Sequence, residues 1–396
     1  MKFKLLTRER LSLLCWGLII TYIILAAYQL GDFGPNTGGI KNSDYVLLWS
    51  ASNLALEKNP GAVYSVPKLW KVQAALGEDQ PQLLPWLYPP SFLLLILPLG
   101  LLPYLVSLTF WLGATLWSAL AVLRRIAPDP LTRKLALAFP GNAMNFFYSQ
   151  GIFLLIGLMG GGLLAVDSYP LLAGLLLGVS ISYKPHLGFL VLAAFLGGRR
   201  WKALGAVLAT VGSLALLSAV VFGVDIWLIF WKTIPLAKKI VATVSELWPR
   251  MCTMFAAVRL LGGGLLTAWT MQGIVTGVVG VIVFWVWRQE APLAIRASTL
   301  VVGALLATTY AFEYDLSLLS LPLAWMAWEG YVNGWRSWEK YWLPVVWLTP
   351  SFTTLLAKRL GWQLEPLILA VFLFLLVRRV QPESDAEGRV VPHPLA

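Results

Sequence analysis

Apolar runs, separated by charge clusters and by Pro or Gly, recur along almost the whole chain. A helix of about 20 apolar residues crosses the hydrocarbon core of a bilayer, and the pattern predicts about twelve such spans. They cover residues 11–30, 104–123, 134–149, 151–166, 169–183, 186–198, 203–222, 265–287, 296–312, 315–330, 342–357 and 363–378. An even number of spans places both termini on the same side of a membrane.

The basic residues indicate which side that is. When the N-terminus is cytoplasmic, most of the 30 Lys and Arg residues fall in inside segments, as the positive-inside rule expects. These segments are residues 2–10, 124–134, 199–202, 288–296, 336–340 and 378–389. The first apolar run is too long for a signal peptide and lacks a clear cleavage site, so we interpret it as an uncleaved span.

Two long segments, residues 31–103 and 223–264, are predicted to lie outside. Within the first, residues 44–57 and 67–76 have apolar positions at helical spacing, which predicts helices lying at the membrane surface. The apolar stretch at 91–102 is short for a span and is predicted to be re-entrant or surface-packed.

The remaining organisation is simple. Residues 1–378 are predicted to form a single transmembrane domain, followed by a polar, disordered cytoplasmic tail over 379–396. The glycine-rich run at 157–162 indicates close helix packing.

Composition supports a polytopic membrane protein. Hydrophobic residues make up 58% of the 396 positions and charged residues 12%, whereas soluble domains carry roughly 25% charged residues. This excludes soluble Rossmann enzymes, nucleic-acid-binding domains and disulfide scaffolds. The formal charge of +11 is explained by cytoplasmic loops and anionic headgroups.

Several polar residues at span ends fall together on the predicted outer side. Intramembrane or membrane-edge polar groups are costly to desolvate and are therefore functional candidates. Asp44 is the leading candidate, because a carboxylate in a pocket beside the membrane can take a proton from an attacking hydroxyl. Its position before a helix equally fits an N-cap, and both roles can coexist. The others are Gln150, Lys184, His186, Glu313 and Asp315.

The cations each have two interpretations. Lys184 can bind a phosphate or extend to the interface as a snorkelling lysine. Arg250 and Arg259 can clamp a phosphate, although a basic outer loop also contacts anionic headgroups, which is the expected role of Lys238 and Lys239.

The other candidates also have structural interpretations. Glu313 and Asp315 can orient an acceptor sugar or form a solvated turn, and His186 fits a packed histidine better than a ligand. No His, Cys and carboxylate cluster has metal-ligand spacing, and neither a P-loop nor a nucleophile elbow is present.

A series of short motifs over residues 40–325 resembles glycosyltransferase family 87, a family of polytopic GT-C-type enzymes that includes polyprenol-phosphate-mannose-dependent mannosyltransferases. They are Asp44-Tyr45 with Trp49-Ser50-Ala51, Asn59-Pro60 through Val63-Tyr64, Tyr88-Pro89-Pro90, Leu97-Pro98, Leu102-Pro103, Ser149-Gln150-Gly151, Ala173-Gly174 to Gly178, Lys184-Pro185 and Tyr314-Asp315-Leu316 near Leu321-Pro322. Phe312-Glu313 departs from the Pro-His type sequence of the family.

The resemblance implies an all-α GT-C-type bundle and an inverting hexosyltransferase. Asp44 matches the aspartate that serves the family as catalytic base, and Tyr88 joins the substrate-binding candidates through its motif. The donor would be a polyprenyl-phosphate hexose, with mannose expected, and the acceptor a lipid or a glycan. No metal or other cofactor is expected, and no nucleic-acid partner. The site would face outward from the cell membrane, among membrane lipids.

Two other functions fit part of the pattern. A transporter or flippase of a lipid-linked saccharide shares the hydrophobicity and the outer pocket, but transporters usually contain two related halves with broken helices, and no such internal symmetry is visible. A non-catalytic scaffold is the third possibility, and it predicts that Asp44→Asn leaves function unchanged.

Overall fold

The computed structural model describes residues 7–31, 44–76 and 85–380, and for residues 25–31 it describes the backbone alone. Within these ranges the secondary structure is helical apart from one isolated antiparallel bridge between Met251 and Phe312. The predicted tail lies outside the described residues from residue 381 onward, as do Lys2 and Lys4. The all-helical prediction is confirmed.

The described helices are α1 (Arg8–Gly31), α2 (Tyr45–Leu56), α3 (Val66–Ala74), α4 (Pro90–Ile96), α5 (Tyr104–Ile126), α6 (Pro130–Leu137), α7 (Pro140–Phe147), α8 (Ile152–Ala165), α9 (Pro170–Tyr183), α10 (Pro185–Gly188), α11 (Leu190–Gly197), α12 (Trp201–Phe222), α13 (Asp225–Thr243), α14 (Met254–Leu260), α15 (Leu265–Arg288), α16 (Leu293–Ala307), α17 (Ser320–Asn333), α18 (Glu339–Leu360) and α19 (Glu365–Arg378). Short 3₁₀ helices cover Pro60–Tyr64, Leu97–Leu101, Ser245–Arg250 and Asp315–Leu319.

Three of the described helices, α5, α12 and α15, are long and apolar enough to cross a bilayer. The predicted spans at 11–30 and 342–357 lie in the continuous helices α1 and α18, of 24 and 22 residues. The helices α8, α9, α16, α17 and α19 have only 14 or 15 residues, and the twelve-span arrangement is not confirmed. The single span predicted over 134–149 is wrong: α6 ends at Leu137 and α7 begins at Pro140, because proline lacks an N–H and suits the first turn of a helix. The span predicted over 186–198 is interrupted at Phe189, between α10 and α11.

Each long helix packs beside a short one: α5 beside α8, α12 beside α9, and α15 beside α16. The short helices have 14 or 15 residues and the long ones 22 to 24. At 1.5 Å per residue, the long helices are about 12 Å longer than their neighbours.

The members of each pair are aligned at the same end of the bundle. Gly160, near the end of α8, meets Val122 near the end of α5. Gly174, near the start of α9, meets Ala206 near the start of α12. The Trp287 indole on α15 donates a 2.9 Å hydrogen bond to the Arg296 carbonyl on α16. The extra length of the long helices therefore lies at the opposite end, and the ends of the short helices form the floor of a recess there.

Ion pairs sort to the two ends of the bundle. At one end, Asp167 joins Arg200 at 2.6 Å and Arg296 at 2.7 Å. We call this the arginine end, and we call the recessed end, which holds Asp44, the carboxylate end. Each ion pair among the described residues joins two residues that the sequence assigned to the same side.

The first long segment differs from its prediction in one respect. The helices expected at 44–57 and 67–76 are present as α2 and α3, but α2 does not lie on a surface. Nine of its residues are buried because it is apolar on nearly all sides, a composition that suits burial rather than an interface. α3 does expose one polar side, with Lys68 and Lys71 outward and Leu69 buried. The 91–102 stretch is too short to cross, as predicted.

The second long segment contains a 19-residue helix, α13, that the sequence pattern did not reveal. Pro235 and the lysines within it disguise its apolar positions. α13 packs on the first segment: the rings of Tyr64 and Phe230 lie 6.1 Å apart, and Ile229 contacts Gly61. The two long segments therefore form one layer over the carboxylate end.

Small residues allow the closest helix contacts. A Cβ on Gly174 would lie 2.3 Å from Ala206 Cβ, and one on Gly178 would lie 2.6 Å from Thr210 Cβ. These glycines, four residues apart on α9, let its backbone approach α12. In the 157–162 run, a Cβ on Gly157 would lie 2.4 Å from the Ser118 hydroxyl, so the predicted close packing is confirmed.

Gly174→Ala should destabilise the fold, because the new methyl overlaps backbone and Cβ atoms of α12. We expect the free energy of unfolding to fall by about 1–3 kcal/mol. Gly212→Ala on α12 is the matched control, since a Cβ there meets nothing within 4 Å and alanine favours a helix. Thermal unfolding in detergent compares the two variants, and equal melting temperatures would contradict the packing described.

Candidate active site

Asp44 immediately precedes α2 and is held from two directions. Its N–H donates a 3.0 Å hydrogen bond to the Tyr148 carbonyl, and its carboxylate accepts a hydrogen bond from the Gln150 amide. The carboxylate makes no capping bond to α2. The side chain is therefore positioned by the turn after α7 rather than by its own helix, which favours the chemical interpretation over the N-cap.

The turn that presents Gln150 is tightly packed. Ser149 adopts a positive φ of 52°, and the Gln150 N–H donates to the Asn145 carbonyl at 2.9 Å. Gly151 follows, and a Cβ there would lie 2.4 Å from the Tyr183 hydroxyl and 2.6 Å from the Trp111 ring. Only glycine allows this approach, so the turn and its contact with Asp44 depend on residue 151.

Lys184 and Asp315 form a buried ion pair. Lys184 Nζ lies 2.7 Å from Asp315 Oδ1, and the residues are 3% and 1% exposed. The second carboxylate oxygen accepts the Phe312 N–H at 2.8 Å, and the ammonium faces the Tyr314 ring at 5.2 Å. Lys184 is thus not a snorkelling lysine, and Asp315 is not part of a solvated turn.

Arg250 and Glu313 form a second pair. Arg250 Nε donates to Glu313 Oε1 at 2.8 Å, and the Tyr148 hydroxyl donates to the same oxygen at 3.1 Å. Thr354 Oγ1 donates to Oε2 at 3.1 Å. The Glu313 N–H bonds the Arg250 carbonyl, so the two chain segments are tied through backbone as well as side chains.

The two pairs differ in access. The Glu313 side chain is 4% exposed, but 28% of the Arg250 side chain is exposed. Its Nε is the nitrogen bound to Glu313, and the guanidinium lies 4.6 Å above the Tyr148 ring. The remaining N–H groups of a guanidinium can bind a planar or tetrahedral anion. Arg250 is therefore the site cation best placed to meet a ligand.

Tyrosines line the space between these groups. Burial raises the pKa of Tyr88 and of Tyr314 well above the usual value, and the charges of Asp315 and Asp44 add to the effect on both. The Tyr148 and Tyr314 rings lie 5.9 Å apart, so aromatic contacts connect the surroundings of the two ion pairs. Burial, followed by the charge of Glu313, raises the pKa of Tyr148 to about 12, so its hydroxyl stays protonated and remains a donor at neutral pH.

Two candidates are placed apart from the carboxylates. The His186 ring packs edge-on against Tyr310 with centroids 5.6 Å apart, as expected for a packed histidine. The Arg259 guanidinium donates to the Gly263 carbonyl at 2.8 Å and stacks on Trp248 at 4.5 Å. Both contacts are structural.

Sequence reasoning missed Tyr148, Thr354 and Tyr314 as parts of the site. The Tyr148 carbonyl accepts a hydrogen bond from the Asp44 N–H, and its hydroxyl donates one to Glu313. Tyr148 therefore connects the two acidic residues. The aromatic spacing of Tyr310, Phe312 and Tyr314 was a signal that could have revealed the lining. Thr354, inside a predicted span, carried none.

The arrangement combines a partly exposed carboxylate with an accessible cation. Asp315 and Glu313 are nearly inaccessible and hold cations. Asp44 is partly exposed and is bonded by the neutral amide of Gln150, so it is the acid best able to accept a proton from a ligand. Among the described residues, no group of three or more His, Cys, Asp or Glu could hold a metal ion.

Three helices long and apolar enough to cross a bilayer, with a cluster of buried ion pairs at one end of the bundle, are typical of a membrane protein. The profile of glycosyltransferase family 87 matches residues 86–309, more than half of the chain, and the chain belongs to that family. It is therefore a glycosyltransferase. The matched range includes Gln150, Lys184 and Arg250, whereas Asp44, Glu313 and Asp315 lie outside it. No curated protein and no solved structure matches the chain.

Asp315→Asn should strongly destabilise the protein, because it leaves the Lys184 ammonium buried beside a neutral amide. A broken buried pair typically costs about 3–5 kcal/mol of unfolding free energy. Replacing both members, with Lys184→Met and Asp315→Leu, should restore much of the loss. Thermal unfolding tests this, with Arg8→Gln as control: this variant removes an ion pair whose arginine side chain is 57% exposed. Equal effects of Asp315→Asn and Arg8→Gln would contradict the argument.

Proposed function

We propose that the protein transfers a hexose, with mannose expected, from a polyprenyl-phosphate donor to a lipid or glycan acceptor at the outer face of the cell membrane. Family membership supports sugar transfer and favours an enzyme over a flippase. The observation that carries the proposal is that Asp44, partly exposed and held by Gln150, is connected through Tyr148 to the Arg250–Glu313 pair.

In the proposed reaction, Asp44 accepts the proton of the acceptor hydroxyl as its oxygen attacks the anomeric carbon of the sugar. A new C–O bond forms on the face opposite the leaving group, so the anomeric configuration inverts. The bond between the anomeric carbon and the phosphate oxygen breaks, and the lipid phosphate leaves with the electron pair. The reaction therefore requires a base on one side of the sugar, to take the proton, and a cation on the other side, to stabilise the leaving phosphate.

The two cations would serve the departing phosphate differently. Arg250 has a partly exposed side chain and can bind the phosphate oxygens directly while Glu313 fixes its Nε. Lys184 is buried against Asp315, so we assign it to positioning Asp315 and the tyrosines rather than to direct contact. Preorganised donors of this kind stabilise charge that develops in the transition state.

The recess supports a lipid-linked donor. The short helices end about 12 Å before the long ones, so their ends, including Lys184 after α9, would lie below the membrane surface if the long helices cross it. Exposed apolar side chains line the long helices, for example Leu217 on α12 and Leu266 on α15. A prenyl chain could then remain in the bilayer while its phosphate enters the recess.

Asp44→Asn should abolish transfer while leaving the fold intact, because an asparagine oxygen can still accept the Gln150 bond but cannot take a proton. General-base loss typically lowers rates by about 10²–10⁴-fold. The assay uses purified protein, a labelled polyprenyl-phosphate hexose and a panel of lipid and glycan acceptors read by mass spectrometry.

Asp225→Asn is the matched control, since Asp225 is exposed at the start of α13. Transfer at the wild-type rate by Asp44→Asn would remove Asp44 as the base. Absence of transfer by the wild type across donors and acceptors would count against the donor class.

Arg250→Gln should lower transfer by about 10²-fold or more, because it removes the cation that meets the leaving phosphate. Arg250→Lys should recover part of the rate by keeping the charge. Arg259→Gln is the comparison. Its transfer rate should stay within a few-fold of the wild-type rate, because Arg259 donates to the Gly263 carbonyl and stacks on the Trp248 ring instead. Melting temperatures of the variants distinguish a loss of catalysis from a loss of folding. A larger loss of transfer in Arg259→Gln than in Arg250→Gln would assign the phosphate contact to Arg259 instead.

A further inference from the structure

A polar cavity lies at the arginine end, opposite the proposed active site. It has a volume of about 580 Å³ and is formed where α11 ends, α12 begins, α15 ends and α16 begins. α16, of 15 residues and about 22 Å, lies between this cavity and the Arg250–Glu313 pair. Four arginines line it: Arg199, Arg200, Arg288 and Arg296.

Positive charge exceeds negative charge around the cavity. Arg200 and Arg296 share the single carboxylate of Asp167. Arg199 and Arg288 are exposed, and in the part of the chain that the structure describes neither has a carboxylate within ion-pair distance. Glu290 is the acidic residue of the lining. The cavity is therefore suited to an anion.

The cavity is built rather than incidental. Arg296 is 8% exposed, donates to the Ala291 carbonyl at 3.0 Å and stacks on Trp287 at 5.3 Å. Arg200 is held as well, because its guanidinium lies 2.6 Å from the same Asp167 carboxylate that pairs with Arg296. The surrounding residues therefore fix two of the four lining arginines in place.

An apolar surface continues from the cavity. Leu192 and Leu196, one turn apart on α11, are 36% and 45% exposed. Trp201 at the start of α12 is 60% exposed, and Phe284 on α15 is 38% exposed. A soluble anion gains nothing from such a surface, whereas the acyl chains of a lipid would cover it. Tryptophan is also typical of the headgroup level of a bilayer.

We propose that this cavity binds the phosphate headgroup of an anionic membrane lipid, with the acyl chains lying along the exposed residues of α11, α12 and α15. Arg199 and Arg288 contact the phosphate, while Asp167 holds Arg200 and Arg296 in place. This lipid is distinct from the sugar donor, and the proposal does not depend on the proposed reaction. Basic pockets between membrane helices are suited to such headgroups.

The test measures lipid binding to the full chain in neutral detergent by native mass spectrometry, with phosphatidylglycerol as the probe and phosphatidylcholine, which is zwitterionic and has no net charge, as the comparison. Wild type should prefer phosphatidylglycerol, and the double variant Arg199→Gln/Arg288→Gln should bind it at least about tenfold more weakly. The matched control is Arg124→Gln/Arg125→Gln, which removes the same charge from exposed residues at the end of α5.

Three results would overturn the proposal. The first is equal loss in both double variants, which would indicate diffuse attraction rather than a pocket. The second is equal binding of phosphatidylglycerol and phosphatidylcholine by wild type. The third is displacement of phosphatidylglycerol by millimolar inorganic phosphate with no dependence on acyl chains, which would assign the cavity to free phosphate. Circular dichroism on each variant confirms that the helices remain folded.

Discussion

The buried pair of Lys184 and Asp315 is the interaction on which the carboxylate end depends. A single charge of either sign would be too costly at 1–3% exposure, and the 2.7 Å contact makes the two tolerable together. The pair connects the end of α9 to the 3₁₀ helix before α17, and Asp315 also binds the backbone of Phe312. With Asp315 fixed in this way, the neighbouring Glu313 lies against Arg250 and Tyr148. The Tyr148 carbonyl in turn accepts the N–H of Asp44.

Unequal helix lengths make room for this polar cluster. Because α8, α9 and α16 are about 12 Å shorter than their partners, the turn before α8 and the loops after α9 and α16 meet inside the bundle rather than above it. Glycines at 174 and 178 draw α9 against α12, and α13 adds a layer from the second long segment. The result separates two polar regions by the length of the short helices, with carboxylates and tyrosines at one end and arginines at the other.

Much of the site was predictable as a set of residues but not as a set of contacts. Asp44, Gln150, Lys184, Arg250, Glu313 and Asp315 are polar groups at the ends of apolar runs, which a linear pattern reveals because burial of polar groups is costly. The pattern could not show that Lys184 pairs with Asp315, 131 positions away, or that Arg259 bonds Gly263 instead of a carboxylate. Tyr148 and Thr354 gave too little signal to be found.

By itself, the sequence determined that the chain is an apolar helical protein with polar groups sorted to two ends, because these properties follow from composition and local periodicity. The resemblance to family 87 came from short motifs along the chain, and the family match over residues 86–309 confirmed it. The tertiary structure decided which apolar runs are long helices, that α2 is buried, and that Pro140 divides a predicted span. It also decided which cation meets which carboxylate. Those outcomes depend on packing between residues distant in the chain. The apolar pattern alone also does not distinguish a long helix from one that is two turns shorter.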